Sequence, residues 1–171
     1  MRVREIRTCD INNGPGLTVT LWTQGCTLQC KGCHNKDLWD FNGGRHYRTA
    51  DHDFIMKELS RGVMNFSCLG GEPTESCNIE ELTILFKDIK REYPSVKIWL
   101  WTGRTYDVVK NIPFMQYVDV LVDGKFNEDH KIDGLKWRGS SNQRIIDMNS
   151  TRELGQVVLA DEYYEGGSSN V

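Results

Sequence analysis

Apolar and polar positions follow two different periods along this chain, and the periods take turns in a regular order. Leu17 to Thr23 (Leu-Thr-Val-Thr-Leu-Trp-Thr) is β-branched and alternates with period two, which predicts a strand. Thr49 to Arg61 then spaces Phe54, Ile55 and Leu59 as a helix does, with Thr49 as its cap and Gly62 as its stop. Val63 to Leu69 predicts a second short strand. Asn78 to Tyr93 places Ile79, Leu82, Leu85, Phe86 and Ile89 on one helical stripe, which Pro94 ends. A third strand is expected over Val96 to Thr102 and a short helix over Tyr106 to Asn111. A fourth strand follows over Tyr117 to Asp123, and a weaker fifth over Gln143 to Asp147. Strands alternating with helices predict the α/β class with a mostly parallel sheet. There are too few units for a closed eight-fold barrel, so the expected architecture is an open, partial (β/α) barrel in a single domain.

Composition narrows the class without naming a chemistry. A chain of 171 residues, 39% hydrophobic and 26% charged, can bury a core without staples. A net charge of −3 argues against a sequence-independent nucleic-acid binder, which would carry a basic stripe. No apolar run approaches the roughly 20 residues needed to span a bilayer. No hydrophobic leader opens the chain, so the expected location is cytoplasmic. Neither a repeat nor a linker divides the sequence. The domain is expected to cover 1–160 and to leave 161–171, with its run Glu165-Gly166-Gly167-Ser168-Ser169-Asn170-Val171, as a flexible tail.

The chemistry enters with Gln24-Gly25-Cys26-Thr27-Leu28-Gln29-Cys30-Lys31-Gly32-Cys33-His34-Asn35. A [4Fe–4S] cluster normally takes one thiolate per iron. The C-x3-C-x2-C spacing is one thiolate short, so one iron would keep an open position able to bind a substrate. The sulfurs can converge in two ways. At helical angles they fall within about 60° of one face, and in a loop Gly25 and Gly32 let the backbone fold around a bulky cluster. Zinc is the rival metal and wants four tetrahedral ligands. His34 is the obvious fourth, but it is adjacent to Cys33, and neighbouring side chains of an extended segment diverge. Cys9 is the other candidate, with nothing around it that points to a ligand. A disulfide scaffold would be denser in cysteine than six in 171 residues.

Three further corners follow predicted strands as the cysteine loop follows the first: Gly70-Gly71-Glu72-Pro73, Thr102-Gly103-Arg104 and Asp123-Gly124-Lys125. In parallel α/β folds, sites assemble from loops at the carboxyl ends of the strands. All four corners are therefore expected on one rim. The Gly-Gly pair can be a plain turn; as a site it would bare backbone to a small ligand, with Glu72 ready to accept from an ammonium group. Asp123 and Lys125 read either as a surface ion pair or as a charged pair on the cleft. Trp99 and Trp101 read as packing residues, Cys68 as an inert buried thiol, and Cys77 has no evident place.

Cys26-x3-Cys30-x2-Cys33, the His34-Asn35 after it and the Gly70-Gly71-Glu72-Pro73 corner resemble the radical S-adenosylmethionine superfamily. Asn13-Gly14-Pro15-Gly16 and the Cys-His-Asn run are similar to its glycyl-radical-enzyme activases. Val120 to Phe126 and Arg138 to Asp147 resemble those that serve anaerobic ribonucleoside-triphosphate reductase. The resemblance covers about Arg4 to Leu159. It departs at Gly32, where many members carry an aromatic residue, and at Asn13 and Thr18, where the usual Asp and Arg charges are missing.

The resemblance implies a mechanism and a set of roles. Cys26, Cys30 and Cys33 would hold a [4Fe–4S] cluster whose open iron chelates S-adenosylmethionine. Gly70, Gly71 and Glu72 would hold the methionine ammonium. Gly32, Cys33 and His34 would offer backbone to the adenine, and Thr102, Asp123 and Lys125 would complete the cofactor site. An external donor, of flavodoxin or thioredoxin type, would reduce the cluster. Reductive cleavage would yield a 5′-deoxyadenosyl radical that takes hydrogen from a glycine of the reductase large subunit, leaving a glycyl radical. The rival readings are an activase for another glycyl radical enzyme, a small-molecule enzyme of the same superfamily, and a zinc-stabilised binding module.

Overall fold

The alternation of periods becomes a seven-stranded open sheet in the computed structural model, which describes residues 1–164. In chain order the elements are β1 (Arg2–Asp10), β2 (Thr18–Thr23), β3 (Arg45–His46), α1 (Thr49–Leu59), β4 (Asn65–Gly70), α2 (Ile79–Glu92), β5 (Lys97–Trp101), α3 (Tyr106–Val109), β6 (Val120–Asp123), β7 (Arg144–Asp147) and α4 (Met148–Leu154). The strands lie in the order β3-β1-β2-β4-β5-β6-β7. β2, β4, β5 and β6 run parallel, with α1, α2 and α3 in the crossovers. β1, β3 and β7 pair antiparallel at the flanks. The α/β, single-domain, mainly parallel open sheet matches the expected partial barrel. No helix of the described residues is long and apolar enough to cross a membrane.

Period two sorts the strand residues onto two faces. Val19, Leu21, Phe66, Cys68, Ile98, Leu100, Leu121 and Ile146 enter one core with Ile55, Met56 and Leu59 of α1 and with Leu82, Leu85, Phe86 and Ile89 of α2. Phe54, counted in the expected stripe of α1, is instead 41% exposed, and Met56 takes its place. On the opposite face Trp99, Val120, Val122 and Ile145 form a second cluster with Ala160. Beside them Thr18, Thr20, Asn65 and Ser67 are buried although polar.

Three elements escape the periodicity for physical reasons. β1 is interrupted by register shifts between Val3 and Glu5 and between Arg7 and Asp10, so its side chains do not keep period two. β3 has two residues. α4 has seven, too few for a stripe, and is set by its ends: Asp147 accepts from the N–H groups of Asn149 and Ser150, and Gly155 closes it at φ 67°.

The expected tail also begins too early. Asp161–Tyr163 forms a 3-10 turn. Tyr163 packs edge-on against Trp99 at 4.7 Å between centroids, and the Tyr164 hydroxyl accepts from the Ile145 N–H at 2.6 Å. Aromatic burial thus extends the folded body through residue 164. The rest of the expected tail, 165–171, lies outside the described residues.

Candidate functional site

Each parallel strand hands the chain to the same rim. The cysteine loop leaves β2, the Gly-Gly-Glu corner leaves β4, Thr102 to Arg104 leave β5, and a long connection over 124–143 leaves β6. Together they enclose a cavity of about 220 Å³. Cys26, Cys30, Cys33 and His34 line it from the first loop, Gly70, Gly71 and Glu72 from the second, and Thr102 and Gly103 from the third. Phe126, Gly139 and Gln143 close it from the fourth, and Leu69 and Trp101 form part of its floor.

The cysteine segment is loop rather than helix, and Gly25 and Gly32 take positive φ of 95° and 72°. Cys26 is buried, Cys30 and Cys33 half-buried. Burial pushes the Cys26 and Cys30 thiols up, so metal has to displace their protons on binding. Among the described residues no three His, Cys, Asp or Glu side chains are grouped to hold a single metal ion. Zinc needs its donors converged about 2 Å from one centre. Cys26, Cys30 and Cys33 all line one cavity, where they could hold a group that offers each sulfur its own iron.

The Gly-Gly-Glu corner packs directly under the cysteine loop. The Gly71 N–H donates to the Thr23 carbonyl at 2.9 Å, and the Glu72 N–H to the Gly25 carbonyl at 2.9 Å. A Cβ on Gly71 would collide with the Gly25 carbonyl, so only glycine permits this approach. Glu72 is 1% exposed and heavily bonded. Its Oε1 accepts from the Thr74 N–H (3.0 Å), the Thr74 hydroxyl (2.6 Å) and the Thr102 hydroxyl (2.7 Å), and its Oε2 from the Gly103 N–H (2.8 Å). The carboxylate therefore ties the second corner to the third, a role the sequence reading did not give it.

Two expected site residues lie elsewhere. Asp123 does not pair with Lys125 and does not line the cavity. It is fully buried and accepts a fork of bonds from Arg144 (Nε at 2.9 Å, Nη2 at 2.5 Å), its partner in register on β7, and a third from the Tyr106 N–H at 2.7 Å. A buried carboxylate needs such a partner, and guanidinium matches it bidentately. Lys125 is exposed and lines a neighbouring hollow with Lys31 and Glu128. Gly32 is also outside the cavity lining: the space where its side chain would stand is filled by Glu128, which pairs with Lys31 at 3.4 Å. Trp99 is wholly buried packing, as expected, whereas Trp101 both stacks on it and reaches the cavity.

Residues that carried no motif hold the rim together. Buried Gln24 donates to the carbonyls of Asp37 (3.0 Å) and Asp40 (2.8 Å), fixing the return of the cysteine loop. Trp39, Asn35 and Leu28 line the cavity from that loop. Their only sequence signal is position after the first strand.

Comparison with known proteins agrees with this geometry. Residues 12–146 match the family model described as a 4Fe-4S single cluster domain. An anaerobic ribonucleoside-triphosphate reductase-activating protein of Vibrio cholerae is 38% identical over 153 residues, 85% of this chain and 97% of that protein. The Escherichia coli K12 protein of the same description is 40% identical over 151 residues, with the same coverage. The chain belongs to the family of anaerobic ribonucleoside-triphosphate reductase-activating proteins. A relative from phage T4, 35% identical over 146 residues and matched over 93% of its length, carries the same description. The family is one of radical-type activating enzymes, and the domain is of the single [4Fe–4S] cluster type, which decides between cluster and zinc.

Proposed function

We propose that the protein activates an anaerobic ribonucleoside-triphosphate reductase, using S-adenosylmethionine bound beside a [4Fe–4S] cluster on Cys26, Cys30 and Cys33. The observation that carries this reading is the single cavity with the three cysteines on one wall and Gly70 to Glu72 with Thr102 and Gly103 on the other. Cluster and cofactor, when bound, supply the one-electron cleavage and the radical that is finally stored on a glycine of the reductase.

The chain's own residues bind, orient and shield. Cys26, Cys30 and Cys33 would hold the cluster in the same cavity that Gly70 to Glu72 line, and three thiolates would leave one iron for the cofactor. The N–H groups of Gly71 and Glu72 are engaged, and the Glu72 carbonyl accepts from the Glu75 N–H and the Asn78 amide, so the acceptors this corner would offer an ammonium group are the Gly70 and Gly71 carbonyl oxygens. Glu72 places its negative charge behind them and holds Thr102 and Gly103 in line. Backbone at Cys33 and His34, which line the cavity, would meet the adenine. Leu69, Trp101 and Phe126 exclude water from the reacting centre. Neither Asp123 nor Lys125 enters this assignment. The electron comes from an external reductant of flavodoxin or thioredoxin type, and the reductase large subunit covers the open rim when it docks.

The test is electron paramagnetic resonance on reduced protein mixed with S-adenosylmethionine and the reductase. A glycyl doublet is expected with intact reductase and absent when its C-terminal radical-bearing glycine is replaced by Ala. Cofactor cleavage with full cluster loading and no doublet would contradict the reading.

A further inference from the structure

The four rim loops meet at Arg104, the last residue of the Thr102-Gly103-Arg104 corner, to which no role has yet been given. Arg104 sits just beyond β5 and is half-buried. Its Nη2 donates to Glu75 Oε1 at 3.0 Å and to the Thr27 hydroxyl oxygen at 3.3 Å. Its Nη1 donates to the Thr74 hydroxyl oxygen at 2.5 Å. Its carbonyl accepts the Gly124 N–H at 3.2 Å. Arg104 therefore contacts the loops after β2, β4 and β6 while standing in the loop after β5.

Glu75 completes the bracket. It is a buried residue at 8% exposure. Its Oε1 accepts from the Thr27 N–H (3.0 Å) and the Thr27 hydroxyl (2.5 Å) as well as from Arg104. Thr27 is the residue after Cys26, and Thr74 is two residues after Glu72 and bonded to it. A continuous chain of charge-assisted bonds thus runs from the first cluster cysteine to the carboxylate under the ammonium corner. Burial pushes the Glu75 carboxyl up, but the bonds from Thr27 and the Arg104 guanidinium outweigh this and hold it below its ordinary range, so it is ionised at neutral pH.

The geometry points to Glu75 and Arg104 as positioning residues that fix the distance between the cluster loop and the cofactor corner. The proposal rests on the reading of the site given above. Cofactor chelated at an iron and held by its ammonium at Gly70 to Glu72 has to span both walls at once. Slack between the walls is then lost affinity even when each wall is intact. Neither residue touches the cofactor; they act through Thr27, Thr74 and Glu72. Arg is suited to the task because its planar fork can bind two loops in fixed directions, which an ammonium cannot.

The experiment uses anaerobically prepared holoprotein with Glu75→Gln, Arg104→Ala, Arg104→Lys and Thr27→Val, the last removing only the hydroxyl bonds at Thr27. Iron per chain and Tm report the fold and the cluster. A titration with S-adenosylmethionine, read by the change it causes in the resonance spectrum of the reduced cluster, reports the spacing of the walls. Iron and Tm should stay close to wild type while the Kd rises about 10- to 100-fold for Glu75→Gln and Arg104→Ala, the usual range for residues that orient ligands from behind. Arg104→Lys should recover part of the loss and Thr27→Val should show the smallest effect. Unchanged Kd across the set, or a rise that merely tracks lost iron and lowered Tm, overturns the proposal. Wild-type holoprotein that itself fails to bind S-adenosylmethionine overturns the site reading and the proposal together, whereas wild-type binding with unchanged variants overturns the proposal alone.

Discussion

The two faces of the sheet are built from the same strands but by different physics. The helix-packed face is apolar throughout, from Val19 and Leu21 to Leu121 and Ile146, and is held by burial against α1 and α2. The opposite face buries Thr18, Thr20, Asn65 and Ser67 at one end and tryptophans at the other. Loops rather than helices cover its polar end: the Ser67 hydroxyl donates to the Asn13 carbonyl at 2.5 Å, and the Asn65 amide to the Pro15 carbonyl at 2.6 Å. Leu69 and Trp101 continue this second face upward into the cavity floor. One face therefore supplies stability and the other leads into the site, and substitutions on the two should separate stability from function.

Cysteine gives the sharpest separation, because the same residue type occurs in both regions. Cys26→Ala, Cys30→Ala and Cys33→Ala should each abolish the cluster, read as iron per chain and visible absorption. Cys68 is wholly buried on the helix-packed face, its thiol pushed up by burial. Cys68→Ala should keep the iron and cost only about 1 kcal/mol of stability. Cys9→Ala and Cys77→Ala, both at exposed positions, should keep the iron as well. Loss of iron in Cys68→Ala with retention in Cys33→Ala would erase the distinction.

Phe86 is the next largest effect and purely one of stability. It is fully buried on α2 between Phe66 and Phe114, at centroid distances of 5.8 and 5.4 Å. Phe86→Ala should cost about 3–5 kcal/mol in denaturant unfolding, with cofactor affinity unchanged in the fraction that remains folded. Glu72→Gln should do both. An amide there turns a donor toward groups that are themselves donors, costing about 1–3 kcal/mol, and it removes the charge behind the ammonium corner, so cofactor titration should weaken as well. A variant with full stability and lowered affinity would return Glu72 to the role of direct ligand alone. Ser67→Ala should be smallest, about 1 kcal/mol from one lost bond, without change in iron content.

This contrast also explains what the sequence revealed. The helix-packed face was legible because burial there follows the helical stripe Leu82, Leu85, Phe86, Ile89 and the alternation of Val19 with Leu21. The rim was legible because glycine-punctuated corners follow consecutive parallel strands, and such corners can only collect at one end. The other face was not, since Thr18, Thr20 and Ser67 look solvent-facing in an alternating strand until a loop is known to cover them. Asp123 was misplaced for a related reason: its partner Arg144 is 21 residues away in sequence, and only antiparallel pairing of β6 with β7 brings the two together. The roles of Gln24, Glu75 and Arg104 are likewise set by what faces them across loops, which no local pattern encodes.

The central claim is that Cys26, Cys30 and Cys33 leave one iron of a [4Fe–4S] cluster open to S-adenosylmethionine. Mössbauer spectroscopy of protein loaded with iron-57 tests it most directly, because each iron contributes its own signal. On addition of S-adenosylmethionine one iron in four should change its parameters while three stay as they were. Four unchanged irons with the cofactor present in excess would contradict the account.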